Sequence, residues 1–462
     1  MHSNRLVLFL SLFFFSACST APLKSVTLFI EQLPDDDGPR PTELTDDIYF
    51  VDQNHPNAND SNDGTDPSAP WKSIDQAIIS AGPGDFVYIN AQADAESSLT
   101  AYQRANSHGL YPRIPGTADQ IITFRNYPGQ RVIIEGNGNN YGLMLTNASF
   151  HHFYGFVFKN FAKAADGNGF KENITIQNSE FTKTTEAGFK LRDSQHVLLQ
   201  DVYIHHCFDV GLSIINGRDI ELRRVESSFN DDGEGTEGDA DGFHVMYGEN
   251  ILIIDSIARN NSEDGFDLTA NAQLINVIAE NNTAANIKLW RRDADDFAEK
   301  KVVIINSVIR NAGEAGIKIS EGAQLFLYHS VVDHSTEEGI GFRSRKGHKL
   351  PAVRSEIINS IISNNGNQGV DLRDGNLLSA NHNLYFQNPS HIKGYIPDTT
   401  SIIDRDPLFI AAEKGNYHLR EDSPAVNAGV LLTSPQTKQD IDGDIRPIED
   451  QVDIGIDEVS GK

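Results

Sequence analysis

The chain has 462 residues, of which 39% are apolar, and its formal net charge is −27. A chain this acidic is a poor candidate for binding nucleic acid, because phosphate contacts require concentrated Lys and Arg. The composition permits a large all-β protein with a long, narrow core, and it permits cation sites built from carboxylates.

The first residues have the features of an export signal. Arg5 supplies a positive charge, and residues 6–15 form an apolar run too short to span a bilayer. The run ends in Phe-Ser-Ala-Cys at Cys18, which resembles the cleavage box of bacterial lipoproteins. The resemblance implies a signal peptide over residues 1–17 and a lipid anchor on Cys18, with simple secretion as the alternative. With Cys18 modified, Cys207 has no disulfide partner and is expected in the core.

The next two segments, a tether and a capping segment, precede a repetitive domain. Residues 18–45 are rich in Pro, Asp and Gly and are predicted to form a tether. Residues 46–91 then predict a strand, a polar loop, a short helix from about Trp71 to Ser80, and another strand. This order resembles the N-terminal capping segment of secreted right-handed parallel β-helix proteins.

A short Gly-apolar-X triplet, or Asn-Ile-Lys in one case, then recurs along the chain. Successive triplets begin 23, 31, 23, 21, 30, 23 and 30 residues apart, and strand-like alternation fills the intervals. A basal coil of about 21 to 23 residues, lengthened by loops, indicates a β-solenoid. We therefore predict an all-β, right-handed parallel β-helix over residues 46–410, with the short helix as its N-terminal cap. The triplets begin at Gly188, Gly211, Gly242, Gly265, Asn286, Gly316, Gly339 and Gly369.

Two further patterns fit a solenoid. Asn pairs recur in register at 260–261, 281–282 and 364–365, where stacked amides would satisfy one another between rungs. Residues 411–462 are predicted to form a C-terminal cap, because solenoids need polar covers on their terminal rungs. The stretch "DIDGDIRP" within it lacks the Glu spacing of a helix-loop-helix calcium site.

Stacking the rungs brings charged residues together. Adjacent strands lie about 4.8 Å apart, so equivalent positions of successive coils become neighbours. Asp241 and Asp264 precede aligned glycines and form one column. His244, Asp267 and Lys288 share the third triplet position and form a second column, while the apolar residues between the two columns should enter the core.

So many carboxylates cannot all ionise without a counter-ion. Glu263 and Asp239 lie in the turns beside the first column and add to the negative charge. A hard cation with oxygen ligands, Ca²⁺ first, relieves the repulsion. Two other interpretations stay open at this point: a purely structural calcium site, and a solvated acidic patch.

The motifs "DADGF" and "NNSEDGFDL", followed one coil later by a lysine, resemble those of polysaccharide lyase family 9. These are calcium-dependent pectate lyases on a right-handed parallel β-helix. The resemblance implies that Asp241, Glu263, Asp264 and Asp267 bind calcium, and that Lys288 is the catalytic base.

The implied reaction is β-elimination across C4 and C5 of a uronate. A base must remove the weakly acidic proton next to the carboxylate, so a lysine with a lowered pKa beside the cation is expected. Planar guanidinium groups can grip further substrate carboxylates. The substrate-binding candidates are His244, Arg291, Arg292, Arg343 and Arg345.

The expected partner is an acidic polysaccharide, with pectate as first choice and alginate or another anionic glycan as the alternative. A glycoside hydrolase on the same fold would instead need an acid-base pair of carboxylates. A non-catalytic, surface-anchored carbohydrate-binding solenoid is a further alternative. We expect a monomer that is either exported to the cell envelope as an outer-membrane lipoprotein or secreted. It is expected to contact a membrane only through the anchor at Cys18.

Overall fold

The structure is a computed structural model that describes residues 38–40, 47–90, 101–233, 239–290, 300–320, 322–343, 354–373, 376–448 and 451–459. The predicted signal peptide, Cys18 and most of the predicted tether lie outside the described residues. Arg291, Arg292 and Arg345 lie outside them too.

A short helix, α1 (Ile74–Ser80), covers the N-terminal end of the core. The sequence predicted that it would begin at Trp71, but it begins three residues later. The Ser73 side chain accepts a hydrogen bond from the backbone N–H of Gln76 and so caps the first turn. Trp71 itself is buried and forms a parallel bridge with Val51.

Parallel strands form three long faces that are joined by turns. Face A contains β6 (Tyr141–Met144), β9 (Lys163–Gly167), the first parts of β11 (Phe189–Cys207) and β12 (Leu212–Ser228), β13 (Phe243–Met246), β16 (Phe266–Thr269), β19 (Ile287–Leu289), β22 (Ile317–Ser320), β25 (Ile340–Arg343), β28 (Gln368–Asp371) and β31 (Ser390–Lys393).

Face B contains β1 (Ile48–Val51), β2 (Phe86–Ile89), β4 (Ile122–Asn126), β7 (His151–Tyr154), the first part of β10 (Lys171–Thr184), the middle of β11 and β12, β14 (Glu249–Ile254), β17 (Ala272–Ile275), β20 (Lys300–Ile305), β23 (Ala323–Tyr328), β26 (Arg354–Ile358) and β29 (Leu377–Asn381).

Face C contains β3 (Tyr102–Gln103), β5 (Val132–Glu135), β8 (Phe156–Lys159), the ends of β10, β11 and β12, β15 (Ile257–Arg259), β18 (Ile278–Glu280), β21 (Val308–Arg310), β24 (Val331–Asp333), β27 (Ile361–Ser363), β30 (Leu384–Phe386) and β32 (Ile402–Ile403). Each strand therefore pairs with its equivalent in the next rung, which confirms the predicted parallel β-helix.

The interior of the helix is a continuous stack of apolar side chains. Phe243 and Phe266, the central residues of two triplets, are fully buried and stack with ring centroids 4.6 Å apart. Cys207 is buried as predicted, and burial raises the pKa of its thiol to about 12. The alternation of the sequence thus places one side of each strand in a dry core.

The predicted asparagine stack is confirmed. The Asn230 amide donates to Asn261 Oδ1 at 2.9 Å, and the Asn261 amide donates to Asn282 Oδ1 at 2.9 Å. The Asn365 amide donates in the same way to Asn388. These buried amides satisfy one another from rung to rung, so the turns that follow face C keep the same shape along the helix.

The C-terminal segment packs along the side of the helix. After β32 the chain forms an antiparallel pair, β33 (Phe409–Ala411) and β34 (Asn416–Leu419), and two short 3-10 helices at Ala412–Lys414 and Pro435–Thr437. Its apolar residues cover a row of outward apolar side chains on face C, which explains why that row is apolar. The row consists of Val308, Val331, Ile361 and Leu384. Within the described ranges, none of the helices has the length and apolar character of a membrane span.

Candidate active site

Face A carries the predicted charged column. His244 pairs in register with Asp267, Asp267 with Lys288, and Lys288 with Lys318. These residues lie on four consecutive strands, β13, β16, β19 and β22. Their apolar neighbours in the triplets point into the core, so the polar side chains project from the other side of face A.

Three carboxylates meet at this point of the column. Oxygen atoms of Asp241, Asp264 and Asp267 all lie within 4.8 Å of one another, and all three residues are buried. The turns hold them in place. Asp241 accepts a hydrogen bond from the backbone N–H of Asp264 at 3.0 Å, and Asp264 accepts one from Ala285 at 2.9 Å.

Asp241 and Asp264 are each followed by a glycine, and these glycines permit the close stacking of the rungs. A Cβ atom on Gly242 would lie 2.6 Å from the carbonyl oxygen of Gly265, and one on Gly265 would lie 2.5 Å from that of Asn286. Any larger residue would push the rungs apart. The Asp-Gly pair is therefore the local signal that brings the carboxylates together.

The cluster is electrostatically unfavourable for carboxylates alone. Burial raises the pKa of Asp241 well above its usual range, and the charges of Asp267 and Asp264 raise it further. Burial also raises the pKa of Asp264, although Lys288 opposes the shift. Concentrated, buried oxygen donors of this kind fit a hard cation such as Ca²⁺, which takes six to eight oxygen ligands at about 2.3–2.6 Å.

Lys288 contacts the same carboxylates directly. Its ammonium lies 2.8 Å from Oδ2 of Asp264 and 2.8 Å from Oδ2 of Asp267. Burial alone would lower the pKa of Lys288, but the two carboxylates outweigh burial and raise it. The sequence predicted a lowered pKa for Lys288 on the assumption that a cation lies beside it. The protein groups alone raise this pKa instead.

Two predicted site residues lie near the cluster without joining it. Glu263 is half-buried and is not among the carboxylates within 4.8 Å; burial, Asp264 and Asp232 raise its pKa. His244 Nδ1 lies 3.5 Å from Asp241 Oδ2. In the described part of the chain its buried Nε2 has no hydrogen-bond partner.

The predicted arginines are not assembled in the same way. Arg343 lies on β25 and donates to Glu337 at 2.7 Å and to Glu338 at 2.6 Å. Its guanidinium is thus engaged by acidic residues of its own chain. Arg291, Arg292 and Arg345 stay predictions, since they fall outside the described residues.

Trp290 was missed by sequence reasoning. Its indole N–H donates a hydrogen bond to Oδ1 of Asp267, and its ring lies 5.6 Å from the Lys288 ammonium. The residue follows Leu289, at the end of β19, two positions after the predicted base. The sequence could have predicted that Trp290 lies beside Lys288, because residues two apart on a strand project to the same side of the sheet.

A second acidic group lies in the C-terminal segment. Ligand atoms of His418, Asp442 and Asp457 lie within 4.8 Å of one another, and Asp442 belongs to the "DIDGDIRP" stretch. Two of the three residues are at least partly exposed. Because water and salt screen exposed charges, the repulsion within this cluster is weaker than within the buried cluster on face A. A cation is therefore less needed here to stabilise the carboxylates.

Comparisons with known proteins agree with this architecture. The chain matches the family described as Pel9A-like, right handed beta helix region, over residues 49–388. A crystal structure of pectate lyase Pel9A is 17% identical with a TM-score of 0.51, and the match covers 89% of this chain and 96% of that one. A complex of XylC with xylose is 11% identical with a TM-score of 0.61, covering 90% and 99%. At these identities the structures establish the fold alone. No curated protein matches the chain.

Proposed function

Since the chain belongs to the Pel9A-like right-handed β-helix family, as its resemblance to polysaccharide lyase family 9 predicted, we propose that it is a calcium-dependent lyase. Its substrate is a uronate-containing acidic polysaccharide, with pectate as first choice, and cleavage occurs by β-elimination. One observation carries the proposal: three buried carboxylates and a lysine from consecutive rungs converge on one face of the helix. That pectate lyase Pel9A has the same fold supports the choice of substrate.

The cation is assigned to Asp241, Asp264 and Asp267, with Glu263 as the fourth predicted ligand. Three buried carboxylates carry more negative charge than the single Lys288 ammonium balances. When bound, Ca²⁺ would neutralise the substrate carboxylate and so make the proton on C5 more acidic. Asp241 and Asp264 are fixed by backbone N–H groups, which keeps the oxygen donors in position before any ligand arrives.

Lys288 is assigned as the base. In its neutral amine form, which a bound cation would favour by lowering the pKa of Lys288, Nζ accepts the C5 proton of the uronate. The C–H electrons form the C4–C5 double bond, and the C4–O4 bond breaks with its electrons on the departing oxygen. Water supplies the proton that this oxygen needs. The side chain is 30% exposed, so the ammonium is held by Asp264 and Asp267 yet open to a substrate that lies along face A.

Further groups for substrate binding lie in the same column. Lys318 occupies the rung after Lys288, and Lys190 lies three rungs before Asp267. Rungs repeat at about 4.8 Å, so an extended acidic chain lying along the column would meet basic groups on both sides of the cation. His244 lies between Lys190 and the carboxylates and is assigned to substrate binding. The predicted substrate role of Arg343 stays a prediction, because its guanidinium pairs with Glu337 and Glu338.

The test is a screen of polygalacturonate, alginate and glycosaminoglycans for the near-ultraviolet absorbance of the unsaturated uronate that only β-elimination produces. Each substrate is assayed in calcium and in excess chelator. We expect calcium-dependent absorbance with polygalacturonate. Reducing-end release without absorbance would indicate a hydrolase and would contradict the proposal.

A second candidate function is non-catalytic binding of an acidic polysaccharide at the cell surface. The observation in its favour is the ion pairing of Lys288, because an ammonium held by two carboxylates is a poor base. Binding of polygalacturonate by the intact protein with no unsaturated product, in calcium and at alkaline pH, would select this function over the lyase.

A further inference from the structure

A cavity lies next to the acidic cluster, on the turns that follow face C. Its volume is about 670 Å³, within the range of about 300–1,000 Å³ that small-molecule sites occupy. Its wall includes Ser262, two residues before Asp264, and the Ser262 hydroxyl donates to Asp232 at 3.0 Å. The cavity and the proposed active site thus share one turn of the chain.

The cavity is long as well as large. It runs from Thr184 past the rungs of Cys207, Asn230 and Asn261 to Asn281 and Thr283. Register and side-chain hydrogen bonds make these successive rungs. Four rung spacings of about 4.8 Å give a length of roughly 19 Å, which suits a short oligosaccharide better than a single sugar.

Two exposed aromatic residues form the apolar part of the wall. Phe208 is 49% exposed and Phe229 is 41% exposed, and Phe229 stacks on His206 with ring centroids 5.4 Å apart. The other lining side chains are mainly amides, hydroxyls and one carboxylate, Asp231. A sugar ring presents an apolar face of C–H groups and a rim of hydroxyls, so it matches a wall of this composition.

Phe229 occupies an unfavourable backbone position. Its φ is 54°, in the left-handed region, at a turn position that Asn260 and Asn281 occupy in the next two rungs with φ of 55° and 57°. Lys183 and His206 adopt the same conformation at this position in the two preceding rungs, with φ of 54° and 53°, and Asn tolerates it best.

The charge of the wall selects the kind of sugar. Among the described residues that line the cavity there is no Lys or Arg, and Asp231 is acidic. Burial and the neighbouring His205 lower the pKa of His206, which disfavours a positive charge there. A uronate carboxylate would therefore meet repulsion here, unlike at the lysine-flanked column on face A.

We propose that this cavity is a second carbohydrate site that binds a neutral oligosaccharide, with Phe208 and Phe229 as stacking surfaces. Such a site would hold an uncharged branch of a polysaccharide whose acidic backbone lies on face A. The choice of a sugar over another small polar ligand rests partly on the proposed function.

The experiment measures binding of neutral tetrasaccharides of galactose, arabinose and xylose, and of trigalacturonate as the acidic comparison, by calorimetry on the full chain in chelator. We expect at least one neutral tetrasaccharide to bind. Phe229→Asn should weaken its binding by about tenfold and leave the melting temperature unchanged or higher, because Asn suits the left-handed turn. Phe208→Ala should weaken binding similarly, and Phe170→Ala, at another exposed Phe, should not.

The proposal is overturned if no neutral tetrasaccharide binds, if binding survives Phe229→Asn and Phe208→Ala, or if Phe170→Ala weakens it equally. Chelator removes the calcium that the proposed lyase needs, and none of these variants alters face A. Failure of the second site is therefore distinguishable from failure of the lyase, which the absorbance assay reports separately.

Discussion

Lys288 and Asp264 form an ion pair between neighbouring rungs of face A, with Nζ 2.8 Å from Oδ2. The carboxylate is 4% exposed and the ammonium side chain 30% exposed, so the pair has one buried and one accessible member. The same carboxylate is a proposed calcium ligand. The base and the cation therefore share ligands, and removing either partner changes both the charge balance and the chemistry of the site.

Lys288→Ala is expected to lower kcat by about 10²–10⁴-fold, because general-base catalysis contributes an effect of that size. Lys288→Arg should not restore activity, since a guanidinium stays protonated. The measurement is the initial rate of unsaturated product on polygalacturonate in calcium.

Lys318→Ala is the matched control, because it removes a lysine from the same column one rung later and leaves Asp264 and Asp267 untouched. Lys318 pairs with Glu314 at 2.9 Å. We expect a change mainly in KM for this variant. Full activity in Lys288→Ala together with an inactive Lys318→Ala would move the base to the next rung.

Asp264→Asn is expected to abolish the rise in melting temperature that calcium gives to the wild type. A ligand that binds the folded state stabilises it by linkage, about 2.7 kcal/mol at a hundredfold excess over Kd. Thermal unfolding is followed in chelator and in calcium.

Asp442→Asn serves as the control for this experiment, because it removes a carboxylate from the C-terminal cluster instead. It should keep the calcium-dependent shift. A shift that persists in Asp264→Asn and disappears in Asp442→Asn would assign the cation to the C-terminal segment.

The sequence predicted the rung register and the column because the Gly-apolar-X triplet recurs once in every coil, although loops vary the interval between triplets. Residues that share a triplet position, such as Asp267 and Lys288, must stack once the chain coils. The triplet spacing could not predict which partner each side chain would contact. The pairing of Arg343 with Glu338 and the contact of Trp290 with Asp267 depend on rotamers chosen locally.

Long-range packing was equally hidden from the sequence. The C-terminal segment was predicted to be a cap, and nothing in the sequence indicated that its apolar residues would pack along face C. Such contacts join residues more than a hundred positions apart, for example Arg446 and His329. No periodicity links them, so only the folded chain identifies them.

Stability is expected to fall as the pH is lowered from about 6.5 towards 4, in part through His151. Burial lowers the pKa of His151 to about 4, so the folded state binds its proton less readily than the unfolded state. The contribution of His151 to stability is therefore fully present above the unfolded pKa of 6.5 and is lost as the pH falls towards the folded pKa of about 4. At about 1.4 kcal/mol per pKa unit, the shift from 6.5 to about 4 contributes roughly 3 kcal/mol.

His151→Phe tests this origin. The ring stacks with Phe124 and Phe153, at centroid distances of 6.3 and 5.6 Å, and a phenyl group preserves that stack. Denaturant unfolding between pH 4 and 7 should show a shallower loss of stability in the variant. An unchanged pH slope would assign the loss to other groups.

Arg446→Met is expected to detach the C-terminal segment from the helix. The guanidinium is fully buried, lies 3.6 Å from Glu458, and contacts His329 Nδ1 at 2.7 Å and the Gly455 carbonyl oxygen at 3.2 Å. Removing one member of a buried ion pair leaves the other uncompensated and costs about 3–5 kcal/mol.

Arg420→Met is the control, because it removes an exposed arginine that pairs with Asp422. It should change the free energy of unfolding by about 0.5 kcal/mol or less. Limited proteolysis and thermal unfolding of both variants measure the difference. Equal stability of the two variants would mean that the buried arginine does not hold the segment in place.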